Sequence, residues 1–250
     1  MNKFYKFLIG LALVVYFLFL VFSRIPAAFA INGLHTAMPN LWLTSVSGTI
    51  WSGKAQQSQI DVEGYSIPLG AIKWDLNAWS LLVLRPCIKF SAIQSTQNIS
   101  GELCQQLGGN SYVKEANVDA SMAMISNLMP VEVRGPGSLQ VIEAVFEKAN
   151  VKKLNAQLSW QNAQFLAIDN WLKLGSLAAK FTATGDGGIK VEVFDLQGPL
   201  KVNLNASWYN EKGWVADGTI SPQDSASDQL VEILRNIGEE TSPGTYTIKW

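Results

Sequence analysis

Lys201-Val202-Asn203-Leu204-Asn205-Ala206-Ser207-Trp208 carries an apolar side chain at every second position. Successive side chains of a strand point to opposite faces, so this octet predicts a β-strand with one dry and one wet face. The same period recurs on both sides of it. Leu154 to Trp160, Gly188 to Phe194, Trp214 to Ile220 and Thr245 to Trp250 alternate, as do Val46 to Trp51, Ser58 to Val62, Tyr65 to Leu69 and Ala71 to Leu76. Glycines at 48, 53, 64 and 70 punctuate the early segments. Gly185-Asp186-Gly187-Gly188 supplies residues tolerant of positive φ for a hairpin, and Asn210 to Gly213 predicts another turn. The expected fold class is mainly β, with many short antiparallel strands.

Two segments depart from period two. Leu230, Ile233, Leu234 and Ile237 fall at helical spacing, with Ser227 or Asp228 as the cap and Gly238 just past the end. This predicts a helix near the C-terminus. Between Leu139 and Lys148 both periods fit: Leu139, Ile142, Val145 and Phe146 suit a helix, while Val141, Glu143 and Val145 suit a strand.

The chain opens differently. Phe7 to Phe22 is an unbroken apolar run, preceded by Lys3 and Lys6 and followed by Arg24. At about 1.5 Å per residue the run rises roughly 24 Å, and about 30 Å with Phe4, Tyr5 and Ser23, the thickness of one hydrocarbon core. The charge bias favours a cytoplasmic N-terminus and an exported body. Ala28-Phe29-Ala30 has the small-x-small form of a signal-peptidase site, so a cleaved signal is the rival reading; the run exceeds the usual h-region of about 7–15 residues. The expected organisation is residues 1–24 as cytoplasmic start and membrane anchor, 25–41 as a juxtamembrane connector, with room for a short helix on the bilayer surface, and 42–250 as a β domain.

The first thirty residues hold three of the 19 basic side chains and none of the 20 acidic ones, which leaves the remainder net acidic. With no basic patch, nothing supports nucleic-acid binding. Cys87 and Cys104 are the two cysteines, both in the exported part, where an even count points to a disulfide; two buried free thiols are the alternative. The single histidine, His35, is far from both in sequence, so a zinc site is not expected. Nucleophilic triads, a Gly-x-Ser-x-Gly elbow and a phosphate loop are absent from the sequence. Gly135-Pro136-Gly137-Ser138 reads as a turn before it reads as an anion cradle. Asp61, Glu63, Asp75 and Asp195 alternate with apolar neighbours and read as the solvent side of strands. No enzyme chemistry and no cofactor is expected. The nine tryptophans read mainly as sheet packing, with Trp42, near the anchor, as the candidate for a membrane interface.

With these pieces in place, the whole chain resembles the protein N family of the bacterial type II secretion system. The most specific part is Val46-Ser47-Gly48-Thr49-Ile50-Trp51-Ser52-Gly53-Lys54-Ala55, similar to the Val-Ser-Gly-Thr-hydrophobic-Trp-Ser-Gly signature of that family. Further landmarks follow in order: Trp160, Trp171 to Gly175, Asp195 before Gly198-Pro199-Leu200, Gly238 and Gly244-Thr245-Tyr246. Val46, Gly48, Trp51, Gly53, Trp160, Gly175, Gly198, Pro199 and Gly238 are the structural signature positions. The resemblance implies a non-enzymatic, accessory inner-membrane component of the pathway that exports folded proteins across the Gram-negative outer membrane. Its anchor would be kept, its domain periplasmic, and its partners other secretion components. The periplasmic strand pattern also resembles AsmA-like envelope proteins. A curved antiparallel sheet of that kind implies an alternative role, lipid binding in an apolar β groove.

Overall fold

The computed structural model describes residues 3–95, 97–148, 150–209 and 213–249, with side chains omitted at 3, 4, 6, 30, 32 and 37. The Asn210–Lys212 part of the expected turn, Trp250 and the Lys3, Lys6 and Ala30 side chains lie outside the described set. Two helices come first, α1 (Lys3–Ser23) and α2 (Ala27–Ala37). Then follow β1 (Leu41–Gly48), β2 (Ser52–Val62), β3 (Tyr65–Leu76), the short α3 (Ala78–Leu82), β4 (Cys87–Gln94), β5 (Gln97–Gln105) and β6 (Asn110–Ser121). A 3-10 helix, Met122–Leu128, precedes β7 (Val133–Arg134), β8 (Pro136–Glu147), β9 (Asn150–Ala167), β10 (Asn170–Ala183), β11 (Ile189–Gln197), β12 (Leu200–Tyr209) and β13 (Gly213–Pro222). The last elements are α4 (Asp228–Ile237), β14 (Glu239–Ser242) and β15 (Thr245–Lys249).

All the strands belong to one antiparallel sheet in which sequence neighbours pair in a meander; at its end the order is β13, β15, β14, and β7 pairs with β9 off the main path. Register explains why so long a sheet holds together. Val46 pairs with Ala55, Ala55 with Ile72, Ile72 with Ala92, Ala92 with Ile99 and Ile99 with Val118. The row continues through Leu139, Leu158, Ala179 and Val193 to Leu204. Directly paired residues share a face, so these residues form one apolar row across the sheet. One position further along each strand the row is polar: Lys54, Lys73, Ser91, Ser100 and Asn117, then Gln140, Gln157, Lys180, Glu192 and Asn205. Along these rows one face is dry and the other wet.

The dry face is covered at both ends. At the C-terminal end Leu230 and Leu234 of α4 bury against Leu200, Val202 and Tyr246, with Phe165, Leu177 and Val193 packed around them. Ser227 caps this helix, its hydroxyl accepting the Leu230 N–H at 3.3 Å. At the N-terminal end α2 lies against β1, with Ala27 buried. The 3-10 helix reaches both β7 and β3.

Several expectations change in detail. Val46 to Trp51 is not one strand: β1 ends at Gly48, whose φ is +93°, and Thr49 closes a turn by donating to the Ser52 carbonyl at 2.9 Å. Tyr65–Leu69 and Ala71–Leu76 are one strand, bulged at Gly70, where φ is +80°. The ambiguous Leu139–Lys148 is strand up to Glu147, because pairing with both β6 and β9 outweighs a local helical period. The connector helix packs on the sheet rather than standing apart from it. Tryptophan packing fails at Trp79 and Trp214, both exposed. Trp79 lies in α3, off the sheet face, and Trp214 is at the sheet end.

Helix α1 displays apolar side chains on all sides, among them Phe7, Leu13, Tyr16, Phe17 and Phe19, each at least 60% exposed. Among the described residues no helix is long and apolar enough to cross a membrane. The continuous stretch with described side chains, Phe7–Ser23, rises about 25 Å, against a hydrocarbon core of roughly 30 Å.

Candidate functional site

The N-terminal end of the sheet is where distinctive residues gather. The β1–β2 turn grips the junction of α1 and α2. The Trp51 indole N–H donates to the Phe22 carbonyl at 2.9 Å, and its ring meets Phe22 edge-on at 4.9 Å between centroids. Ile50 donates its N–H to the Ile25 carbonyl at 3.1 Å, and Pro26 bridges to Thr49. The glycines of this turn serve close approach. Gly48 and Gly53 face each other, and a Cβ on Gly48 would meet the Ser52 carbonyl at 2.6 Å and the Gly53 Cα at 2.8 Å. A Cβ on Gly53 would run into the Trp74 ring. The ten-residue signature thus builds a tight hairpin laid against the exit of α1.

Beneath α2 lies an apolar cavity of about 400 Å³. Ala27, Ile31, Leu34 and Met38 form its roof, and Leu43, Ile72, Trp74, Ile88, Phe90 and Leu103 of the sheet form its floor. That volume falls in the range of small-molecule sites, roughly 300–1,000 Å³, but the lining offers hardly any group to orient a polar ligand. The arrangement suits an apolar chain, not catalysis. The sheet floor was foreshadowed by the alternation of β3; the α2 roof was missed, and the spacing of Ala27, Ile31, Leu34 and Met38 was the available signal.

Other candidates resolve into packing. The Trp160 indole N–H donates to the Arg134 carbonyl at 3.2 Å, and the Arg134 guanidinium lies 3.9 Å from the centre of the Trp171 ring. Gly175 and Gly198 face one another, the Cβ of either meeting the other's Cα at 2.5 Å. Pro199 follows in the β11–β12 turn, where the Asp195 carboxylate accepts the Val202 N–H at 2.8 Å. This carboxylate organises a turn rather than facing solvent. A Cβ on Gly238 would meet Ile248 and Tyr246 at about 3 Å. Gly135–Ser138 borders a shallow depression that also holds Asp119, whose carboxylate accepts from the Ser138 hydroxyl at 2.6 Å. A carboxylate there opposes an anion.

Cys87 and Cys104 pair directly across β4 and β5 with an S–S bond of 2.08 Å. Glu102 lies beside them, but sulfurs bonded to each other offer no thiolate to a metal. The shifted acid–base groups are two surface ion pairs and the exposed Arg235 against the buried Tyr246. A hydrogen bond from Lys153 holds Glu143 below the usual carboxylate range, Lys190 does the same to Glu192, and the Tyr246 hydroxyl raises Arg235. Trp42 donates to Asp61 at 2.7 Å and stacks edge-on with His35. No catalytic grouping is present among the described residues.

The family described as "Type II secretion system (T2SS), protein N" matches residues 39–249, from two residues before β1 to the end of β15. The chain belongs to this family. Three curated relatives, each named Type II secretion system protein N, agree over nearly full length. The Aeromonas hydrophila protein is 22% identical, covering 98% of this chain and 97% of that protein. The Vibrio cholerae protein is 26% identical over 90% of each. The Klebsiella pneumoniae protein is 22% identical, over 97% of this chain and 94% of its own length. No solved structure gives a significant match.

Proposed function

We propose that this protein is an accessory, non-catalytic component of the type II secretion pathway, held at the inner membrane by α1 with its β domain in the periplasm. Family membership over residues 39–249 carries the reading. The Trp51–Phe22 clamp adds physical support, since it fixes the domain to the end of a helix whose exposed residues are overwhelmingly apolar. Such a surface in water would be strongly unfavourable at about 25 cal/mol per Å², whereas lipid would satisfy it. Residues 1–24 act as cytoplasmic start and anchor, 25–41 as a connector that folds back as the cavity roof, and 42–250 as the periplasmic domain. Its action is protein–protein interaction with other components of the machine. In-cell crosslinking from the domain should trap secretion-system proteins; recovering none would sink this reading.

One observation favours a second role, lipid binding. The C-terminal helix covers only its own end of the dry face, and the cavity under α2 remains open space with apolar walls. Detergent-free extraction of the purified protein followed by mass spectrometry should release a stoichiometric lipid. An empty extract would remove this role and leave the first untouched.

A further inference from the structure

The β3–β4 and β5–β6 loops hold an apolar cluster that no packing explains. Trp79 is 77% exposed, Leu82 73%, Val83 72%, Leu84 62% and Leu107 74%. From Asn77 to Pro86 and from Gln105 to Gly109 there is no acidic residue, and Arg85 is the one charge. Both loops leave the sheet at the end where the β1–β2 turn meets α1. The Trp51 carbonyl that belongs to that turn accepts the Leu76 N–H at 2.6 Å, one residue before the loop begins. Trp51 therefore touches both the base of the β3–β4 loop and the exit of α1.

The cluster is also built to be stiff. Asn77 caps α3, accepting the Trp79 N–H at 3.0 Å, and the buried Ser80 hydroxyl accepts the Cys87 N–H at 2.9 Å. Arg85 donates its N–H to the Ser80 carbonyl and Leu84 to that of Leu81, the double bond that closes a helix end over a left-handed residue. That residue is Leu84, at φ +55°, where glycine is the usual occupant. An exposed leucine in this conformation gains no packing to offset it. The Cys87–Cys104 disulfide and the bond from the Gln105 N–H to the Pro86 carbonyl join the bases of the two loops. Arg85 lies 4.1 Å over the Tyr112 ring, bracing the pair from the next strand.

We propose that Trp79, Leu82, Val83, Leu84 and Leu107 form a second membrane contact, a rigid apolar tip that enters the interface of the bilayer that holds α1. The inference rests on the reading of α1 as the anchor, and the two share one membrane plane because they share one end of the sheet. Trp at the headgroup level, aliphatic side chains below it and Arg85 as the loop cation match an interfacial anchor. Such a tip adds a second point of contact to the clamped α1 junction, and two points fix the tilt of the domain on the membrane.

The test uses the full chain in vesicles of phosphatidylethanolamine and phosphatidylglycerol, with a polarity-sensitive fluorophore on an introduced cysteine. Labels at Leu107→Cys and Phe17→Cys should both shift to the blue and be quenched by nitroxide lipids. A label at Ile168→Cys, fully exposed at the opposite end of the sheet, should do neither. Adding Leu82→Asp and Val83→Asp should abolish the response at 107 without changing the melting temperature, because neither side chain packs within the fold. Quenching at 17 but not 107 overturns the tip and leaves the anchor; quenching at neither overturns both. Equal quenching at 107 and 168 also overturns the tip, since contact would then not be specific.

Discussion

Gly53 shows how a single hydrogen atom can decide a fold detail. Its missing side chain is the space that the Trp74 ring fills, and Trp74 in turn floors the apolar cavity. Gly53→Ala must therefore push an aromatic ring through a packed neighbourhood, a change that typically destabilises by about 1–3 kcal/mol. Chemical denaturation of the membrane-reconstituted protein should show the lower midpoint. Trp51 is a different case, since its contacts run to the helix and not to the sheet core. Trp51→Ala removes the bond to Phe22 and the ring contact while leaving the hairpin glycines intact. The domain should keep its melting temperature, and the Arg24–Ile25 bond, freed from the clamp, should be cut faster by trypsin. An unchanged cleavage rate would mean that the clamp does not hold the junction.

At the scale of elements, α4 and the disulfide stabilise by different physics. Leu234 sits in a buried cluster with Val202, Leu230 and Tyr246, so truncation leaves a cavity. Leu234→Ala should destabilise the C-terminal end by about 2–5 kcal/mol, read from urea midpoints. Cys87 and Cys104 lie 17 residues apart, and closing a loop of that size restricts the unfolded chain by about 3 kcal/mol in the chain-entropy picture. Cys87→Ala with Cys104→Ala should lower stability by that order. If the two loops above the disulfide also depend on it for their fixed spacing, protease sensitivity should rise first between Asn77 and Pro86. The helix at 228–237 was legible in its spacing and cap because a surface helix writes its buried face every three to four residues. The strand at 136–147 was not, since a short apolar segment carries both periods and only the pairing strands select one.

Across the whole molecule, the dry row from Val46 to Leu204 makes a sheet that has to curl over its apolar face or be covered. Long open sheets behave this way in general. The structure covers the two ends with helices from opposite ends of the chain, and the 3-10 helix reaches β3 and β7. Under the proposed membrane topology, replacing residues 1–24 with a cleavable export signal should release an intact domain to the periplasm and abolish its part in secretion. Retained secretion would mean that tethering is dispensable.

The sequence by itself determined the chemistry of each strand: period two, one apolar face and glycine where the chain turns. It did so because alternation is a local property that each strand must satisfy alone. Family membership was equally legible, since the ordered glycine and tryptophan landmarks are themselves the family pattern. Only the tertiary structure decided which residues meet. Pairing register set Cys87 opposite Cys104, brought Gly48 against Gly53, and joined Trp51 to Phe22 across 29 residues. It also folded α2 back as the roof of a cavity and set two apolar loops beside the exit of α1. Those contacts depend on which strands pair and in what register, and the alternation within one strand does not encode that.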